Sequence, residues 1–397
     1  MKEPRFSVIV LCYRHFEYLP AAIDSILSQD YPNIELIISD DGSPNFPRQD
    51  VEAYIAAHKG GNITNVIIHQ EEANCGTVRH LNHAFPLCTG DYVTLLAGDD
   101  ALYSSHVLSA YAEGFSLAPR DCYVEMAHTG MYDETLEVFE AYYMTPDVQA
   151  ALEKAETDTT DLLKVLIAKG ACLPTNSTCF RGEFFEKFGK FDERYMLVED
   201  YPMHVRLASE GWHIHYENFI AVKHRSGGIS HGQKNTLPRS KVLYFTDNQH
   251  MIEDITLKNL SVLDPAVRDV VARKKKRERD WNMFLLARSR KAPLEMLTLA
   301  ARHPAYSCSV VLNRASNVAR KLQKPLLCLW LVLWFFAPVI AGMFETLTAC
   351  SAYVTLPLLF AFARCVLAFW LLCVLVMGLQ WLLWRIQRFP DDTLRVG

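Results

Sequence analysis

Apolar runs of strand length alternate with stretches of helical periodicity through the first hundred residues, and this alternation constrains the fold most strongly. The apolar runs lie at 7–12, 34–39, 65–69 and 92–96. After the first run, Leu19, Ile23 and Ile26 recur at helical spacing. Because strands joined through helices pair in parallel, the sequence predicts an α/β fold with a mostly parallel sheet and helices on its faces.

Pairs of acidic residues follow two of these predicted strands. Asp40 and Asp41 end the second strand, and Asp99 and Asp100 end the fourth in the stretch GDYVTLLAGDDAL. Neighbouring strand residues point to opposite faces, so two adjacent acids need separate partners, such as a divalent ion and a polar ligand. Ligands of open α/β sheets collect at the carboxyl ends of strands. An acidic loop without a ligand is the alternative that this pattern leaves open.

A third acidic pair, Glu199 and Asp200, precedes an amphipathic segment in MLVEDYPMHVRLASEGW. Asp200 followed by Pro202 is also typical of an ordinary helix start. An ion pair with Arg206 would account for Glu199 without any catalytic role. The pair alone does not separate these interpretations.

A basic loop follows, with Lys223, His224 and Arg225 ahead of glycines up to residue 231. Such a loop can close over phosphate groups, and a solvated surface loop is the alternative. The formal net charge of the chain is -5, so we expect no nucleic-acid partner. Eleven cysteines without a CxxC pair indicate reduced thiols, and we predict neither a disulfide nor a zinc site.

In combination, four stretches resemble the family 2 inverting glycosyltransferases of the GT-A fold, over residues 6–232. The stretches are SVIVLCYRHFEYLPAAIDSILSQDYPNIELIISDDGS, NCGTVRHLNHA with CTGDY, LLAGDDAL and VEDYPMHVRL. The resemblance implies a Rossmann-like catalytic domain that transfers a sugar from a nucleotide-diphosphate donor, with a UDP-sugar as the expected donor.

The resemblance also implies roles for individual residues. Asp41 would hydrogen-bond the nucleotide base with Asp40 nearby, and Asp99 would lie near the donor ribose. The full implied set for the nucleotide sugar is Leu11, Tyr13, Asp40, Asp41, Arg79, Asp99, Lys223 and Arg225. A Mg²⁺ or Mn²⁺ ion would be held by Asp100, Asp99 and His224. Ala97 stands where many relatives carry a further acid, which implies a looser grip on the ion.

The catalytic base implied by the resemblance is Asp200. Inversion needs a carboxylate that takes the proton of the acceptor hydroxyl on the side opposite the leaving diphosphate. Glu199 would position the acceptor or hold the rotamer of Asp200. The chain has no QxxRW string and carries AGDDAL in place of a DADLQ-type signature, so we expect transfer of one sugar to a saccharide acceptor. A polyprenyl-phosphate sugar transferase and a non-catalytic membrane scaffold are the alternatives.

The last third of the chain is basic and then apolar. Residues 268–279 carry seven basic residues and indicate an interfacial helix on an anionic leaflet. Apolar stretches at 326–344 and 365–384 predict two membrane spans. Basic residues lie before the first span and after the second, which places both ends in the cytosol: Arg320, Lys321, Lys324, Arg385 and Arg388.

The predicted organisation therefore has four parts: a GT-A domain at 1–235, a basic juxtamembrane helical region at 236–324, a transmembrane region at 325–388 and a cytosolic tail at 389–397. The catalytic domain would face the cytosol at the inner membrane. We expect a lipid-linked saccharide acceptor, as in assembly of a surface polysaccharide or lipopolysaccharide, and an oligomer is possible.

Overall fold

The computed structural model describes residues 3–226, 239–302, 304–336, 339–340 and 352–388, with side chains omitted at 304–314, 352–357 and 380–388. The chain divides into two compact units, Met1–Ala292 and Pro293–Gly397. The basic loop that is expected to close over phosphate groups runs to residue 231. Its residues from 227 onward lie within 227–238, outside the described residues.

The first unit is built on one mixed sheet, in the strand order β3-β2-β1-β4-β8-β6-β9-β5, with β7 on β6. Its strands are β1 Phe6–Cys12, β2 Ile34–Asp40, β3 Ile63–Gln70, β4 Tyr92–Ala97, β5 Ala101–Leu102, β6 Val124–Tyr132, β7 Phe139–Tyr142, β8 Thr178–Arg181 and β9 Ile214–Arg225. The first four strands pair in parallel, as predicted. The short β8 is antiparallel to both β4 and β6, and so joins the parallel part to the rest.

Helices cover both faces of this sheet. They are α1 Leu19–Leu27, α2 Arg48–His58, α3 Thr77–Ala84, α4 Val107–Leu117, α5 Pro146–Leu152, α6 Thr160–Lys169, α7 Phe184–Phe188, α8 Asp200–Glu210, α9 Arg239–Met251 and α10 Pro265–Ser289. Side chains alternate along the strands, so Ile9 of β1 packs into one core while Val8 and Val10 pack into the other. Burial on both faces explains why β1 and β2 read as continuous apolar runs.

The helices α9 and α10 belong to the first compact unit, beyond the boundary at residue 235 expected from the sequence. Met251 of α9 and Val271 of α10 join the larger hydrophobic core. In the basic run of α10, Lys275 is buried and its Nζ donates to the carbonyl oxygen of Lys169 at the end of α6, at 2.8 Å. At least one cation of this run therefore stabilises the fold of the unit rather than facing a membrane.

The second unit contains α11 Pro293–Arg302, α12 Pro304–Phe335 and α13 Ala352–Arg388. The last two helices pack together through Leu333, Ala363 and Val366. Within α13, Leu358–Leu379 is the one described stretch long and apolar enough to cross a bilayer, with a mean hydropathy of 2.5. It overlaps the span expected at 365–384. The span expected at 326–344 includes residues 337–338 and 341–344, which lie outside the described residues.

Candidate functional site

The carboxyl end of β2, beside that of β1, carries the first acidic pair, in which Asp41 is buried. Its carboxylate accepts hydrogen bonds from Asn74 Nδ2 at 2.7 Å and from the backbone N–H groups of Cys75 and Gly76 at 2.8 and 3.1 Å. Three donors to one carboxylate make a strong, charge-assisted contact. Asp41 therefore holds the loop that leads into α3.

Asp40 is also buried, and only one of its oxygens is used. Oδ2 accepts the backbone N–H of Ser43 at 2.7 Å, while Oδ1 has no hydrogen-bond partner within the described part of the chain. The turn from Asp40 to Ser43 needs glycine, because Gly42 has φ +68° and a Cβ there would lie 2.3 Å from the carbonyl carbon of Ala73. The free oxygen makes Asp40 the member of the pair with remaining acceptor capacity.

Three further residues expected at the nucleotide sugar lie around these strand ends. The backbone oxygen of Leu11 accepts a hydrogen bond from the N–H of Gly98 at 2.8 Å, which holds the end of β1 against the turn after β4. Tyr13 follows β1 and is 37% exposed, and the guanidinium of Arg14 lies 4.9 Å from its ring centre. Arg79 lies on α3 and pairs with Glu193 at 3.4 Å.

The second acidic pair lies at the end of β4, where Asp100 is 1% exposed. Its carboxylate accepts from Asn176 Nδ2 and from the backbone N–H of Arg225, both at 3.0 Å. The Nδ1 atom of His224 lies 3.0 Å from the same carboxylate. The end of β9 is thereby fastened to the end of β4, although the two segments are more than 120 residues apart.

Asp99 lies beside this contact. Burial and the neighbouring charge of Asp100 raise the pKa of the Asp99 carboxyl. The guanidinium of Arg225 donates to the backbone oxygens of Asp99 (2.7 Å) and Glu134 and lies 4.3 Å from the ring centre of Tyr18. Arg225 therefore fixes the backbone around the acids as well as adding positive charge.

The side chain of Lys223, one strand position before His224, faces aromatic rings. Its Nζ lies 5.7 Å from the ring centre of Tyr103 and 5.2 Å from that of Tyr132. These are cation–π distances. Lys223 would have to leave the rings to reach a phosphate.

The chemistry of Asp99, Asp100 and His224 fits a Mg²⁺ or Mn²⁺ ion. Carboxylate oxygens are the preferred ligands of both ions, and an imidazole nitrogen is acceptable to Mn²⁺. A cation would also relieve the repulsion that raises the pKa of Asp99. Of this expected set, Asp100 and His224 are in direct contact, but the three residues do not form a described group whose donor atoms all lie within 4.8 Å of one another.

A second group of possible donor atoms was not expected from the sequence. Atoms of Glu71, Cys75 and His83 lie within 4.8 Å of one another. However, the Cys75 thiol donates to Asp41 at 3.2 Å, and burial with the adjacent Asp41 raises its pKa to about 12. Glu71 Oε1 is already contacted by His83 Nδ1 at 2.9 Å and by His69 Nε2 at 3.0 Å. This group is a hydrogen-bonded network that supports the Asp41 loop.

The third acidic pair begins α8, and each of its side chains is partly exposed. Burial raises the pKa of Asp200 to about 6, and burial together with the charge of Asp200 raises the pKa of Glu199 to about 8. Asp200 Oδ1 accepts the backbone N–H of Tyr201 at 2.6 Å. Burial and the repulsion between the two carboxylates therefore favour a proton shared by the pair.

Two tyrosines near Asp200 belong to no sequence motif, and the sequence did not predict their place at the site. Burial, and after it the charge of Asp200, raises the pKa of both Tyr143 and Tyr244. Tyr143 follows β7 and Tyr244 lies on α9, so neither could be placed here from local periodicity. Both phenols stay protonated at neutral pH.

Hydrogen bonds connect the region of Asp200 with the other two acidic pairs. The Tyr143 N–H donates to the backbone oxygen of Thr129 at 3.0 Å, and Thr129 Oγ1 donates to Asn176 Oδ1 at 2.8 Å. Asn176 in turn donates to Asp100. On the other side, the backbone oxygen of Met196 accepts the N–H of Val78, two residues after the loop that Asp41 holds.

The sheet with acids at its strand ends agrees with the protein family that the sequence matches. A family model described as "Glycosyltransferase like family 2" matches residues 4–236, more than half of the chain. The chain belongs to this glycosyltransferase family. Its mostly parallel sheet with acids at the strand ends is the GT-A fold that the sequence resemblance implied, which confirms the expected family and fold.

Curated relatives and solved structures are similar over much of the chain. An uncharacterized glycosyltransferase of Rickettsia typhi is 28% identical over 226 residues, which cover 56% of this chain and 64% of the relative. One from Nostoc sp. is 30% identical over 191 residues, covering 47% and 54%. The chain thus spans less than two thirds of these relatives.

The structure of S. aureus TarS 1–349 covers 78% of this chain and 80% of its own, at 16% identity and a TM-score of 0.45. The mannosyltransferase PcManGT from Pyrobaculum calidifontis, solved with GDP-Man and Mn²⁺, covers 76% of each chain at 17% identity and a TM-score of 0.45.

Proposed function

We propose that this glycosyltransferase inverts the anomeric carbon of a nucleotide-diphosphate sugar, with a UDP-sugar as the preferred donor, and passes one sugar to a saccharide acceptor. The observation that carries the proposal is Asp200, an accessible carboxylate whose raised pKa of about 6 suits a general base at neutral pH. Asp200 takes the proton of the acceptor hydroxyl as that oxygen attacks from the side opposite the diphosphate.

Glu199 supports this step as a neutral neighbour. Burial and the charge of Asp200 raise the pKa of Glu199 and so favour its protonated form, which can donate a hydrogen bond where an ionised glutamate would repel Asp200. We assign it the positioning of the acceptor or of the base. The two acids then perform different tasks because their environments separate their pKa values.

The donor binds at the carboxyl ends of β1 and β2. Asp41, which also holds the loop at 74–76, is expected to hydrogen-bond the nucleotide base, and the unpaired Oδ1 of the neighbouring Asp40 is a second possible acceptor. Leu11 and the exposed ring of Tyr13 would line the base. Positive charge for the diphosphate would come from three residues placed around the site: Arg79, Lys223 and Arg225.

Asp99, Asp100 and His224 would hold a Mg²⁺ or Mn²⁺ ion, with Asp99 also near the ribose. When bound, such an ion offsets the negative charge of the departing diphosphate without proton transfer. The hydrogen bonds from Asn176 and Arg225 fix the orientation of the Asp100 carboxylate. Groups that hydrogen-bond to metal ligands usually hold those ligands in the required orientation.

The acceptor is proposed to be a lipid-linked saccharide presented at the cytosolic face of an inner membrane, in assembly of a surface polysaccharide or lipopolysaccharide. The apolar stretch Leu358–Leu379 supports an anchored enzyme, alone or as an oligomer. A lipid-linked acceptor would then be held close to the catalytic unit at high effective concentration.

The test compares the full-length chain with Asp200→Asn, which keeps the shape of the side chain and removes its basicity. We expect release of nucleoside diphosphate against a lipid-linked saccharide pool to fall at least about 100-fold, the range for a lost general base. Glu210→Gln, at the far end of the same helix and paired with Arg206 at the surface, is the matched control. Equal rates in the wild type and Asp200→Asn would contradict the proposal.

A further inference from the structure

A buried carboxylate outside the family-matched region holds the segment that leads to Asp200. Asp247 lies on α9, beyond residue 236, and is 3% exposed. Its Oδ2 accepts the backbone N–H of Met196 at 2.9 Å and that of Leu197 at 2.7 Å. Burying a charge is costly unless it is paired in this way, so the contact strongly favours one position of the segment.

The opposite side of the same segment is held by the start of α3. The backbone oxygen of Met196 accepts the N–H of Val78 at 3.2 Å. A Cβ on Gly76 would lie 2.8 Å from that oxygen, so the segment and the Asp41 loop are in close contact. Met196 is thus fixed between α9 and the donor side of the site, only four residues before Asp200.

Two more contacts come from the region that follows the family match. Tyr244, one turn before Asp247 on α9, lies near Asp200 and its pKa is raised partly by the charge of that carboxylate. The hydroxyl of Tyr201, next to Asp200, lies 2.8 Å from Thr256 Oγ1. Residues on both sides of Asp200 therefore depend on 239–256 for their position.

We propose that Asp247 is a positioning residue for the base Asp200, so that α9 forms part of the catalytic apparatus; this inference rests on the proposed function. Asp247 acts through the backbone of Met196 and Leu197 and does not touch the substrates. A misplacement of the reacting group by about 1 Å can lower a rate by about 100-fold, so loss of this contact reduces kcat more than donor binding.

Two substitutions at Asp247 weaken its hydrogen bonds to the segment 196–197 to different extents. Asp247→Leu removes the acceptor oxygen, and we expect kcat to fall by about tenfold or more with the donor KM changed less than about twofold. Asp247→Asn keeps an acceptor oxygen and is expected to retain most of the rate. Asp254→Leu is the control, because Asp254 pairs at the surface with Lys258, four residues later in the chain.

A double substitution separates positioning from a general loss of fold. If Asp247 acts through the base, adding Asp247→Leu to Asp200→Asn lowers the residual rate little further, because the base is already absent. An additive loss would overturn the inference. An active wild type that is sensitive to Asp200→Asn, combined with a normal Asp247→Leu, would overturn it while leaving the proposed function intact.

Hydrogen exchange provides a readout that does not require turnover. The amide hydrogens of Met196 and Leu197 donate to Asp247, so Asp247→Leu should increase exchange in the peptide covering 195–201, with little change in β1 and β2. Asp254→Leu should leave that peptide protected. Unchanged protection in Asp247→Leu would overturn the inference even if no acceptor supports transfer.

Discussion

At the scale of single residues, the acids of the site differ in how many hydrogen bonds their carboxylates already accept. Asp41 accepts three N–H hydrogen bonds and one thiol hydrogen bond from the 74–76 loop, and Asp100 accepts two while contacting His224. Asp200 accepts one from a backbone N–H. Asp200 is also partly exposed, unlike Asp41 and Asp100, so an incoming hydroxyl can reach its remaining acceptor positions.

The pKa of Asp200 predicts the pH dependence of transfer. A general base must be ionised, so kcat/KM should fall as pH drops below about 6, by about tenfold per pH unit. The measurement is initial rate against pH, from about 5 to about 8, at saturating metal. Glu210→Gln should keep the same acid limb. A rate that stays constant down to pH 5 would contradict the assignment of Asp200.

At the scale of elements, β6 and α4 meet through an unusual contact. Glu125 of β6 is fully buried, and a Cβ on Gly114 of α4 would lie 2.2 Å from its Oε1, so only glycine allows this approach. Neither carboxyl oxygen has a hydrogen-bond partner among residues with described side chains. Burial raises the pKa of Glu125 to about 9, so the group is neutral at pH 7.

Replacing Glu125 by Gln should change stability in a pH-dependent way. Between the ordinary glutamate pKa of about 4.5 and about 9, the folded chain holds a proton that the unfolded chain has lost. The free energy of unfolding of the wild type therefore falls as pH rises through this window. Glutamine cannot ionise, so Glu125→Gln should gain more stability at pH 8 than at pH 5, measured by denaturant unfolding of the full chain.

Glu113→Gln, on the exposed face of α4, is the control for this comparison. It should change stability little at either pH, since surface substitutions have small effects. A Glu125→Gln variant that differs from the wild type by the same amount at both pH values would show that Glu125 is not buried in its neutral form.

At the scale of the whole molecule, the structural boundary and the family boundary differ. The family match ends at residue 236, whereas the compact unit continues to Ala292. Residues beyond the match supply Met251 and Val271 to the core and Asp247 to the segment before Asp200. The catalytic unit therefore depends on helices that the sequence pattern assigned to a juxtamembrane region.

Truncation tests this dependence. A chain ending at residue 292 should fold and unfold cooperatively, whereas one ending at 236 should have a lower melting temperature or fail to fold, because it loses core contacts and the hydrogen-bond partner of the segment 196–197. Thermal unfolding followed by circular dichroism would measure this. Equal melting temperatures for the two truncated chains would contradict it.

The chain ending at residue 292 also tests the proposed anchor, by comparison with the full chain. The full chain should partition into lipid vesicles, and the chain ending at 292 should remain in the aqueous phase, because the apolar stretch Leu358–Leu379 lies beyond it. Partition of both chains to the same extent would place the membrane contact within the first unit, for example on the basic residues of α10.

The sequence by itself determined the parallel strands β1 to β4, the acidic pairs at the strand ends and the helix that begins at Asp200. Each depends on local periodicity or on a motif whose residues are adjacent in the chain. The resemblance added the expected family and fold, which the family match confirmed. The roles assigned to individual site residues stay predictions.

Only the tertiary structure decided which distant residues meet the acids. Asn176 reaches Asp100, Tyr143 and Tyr244 lie near Asp200, and Asp247 holds Met196 and Leu197. None of these residues stands in a pattern of its own, because a buried hydrogen bond is set by where two elements pack and not by the residues beside it in the chain. The neutral state of Glu125 has the same origin, since its pKa reflects the burial that packing of α4 on β6 creates.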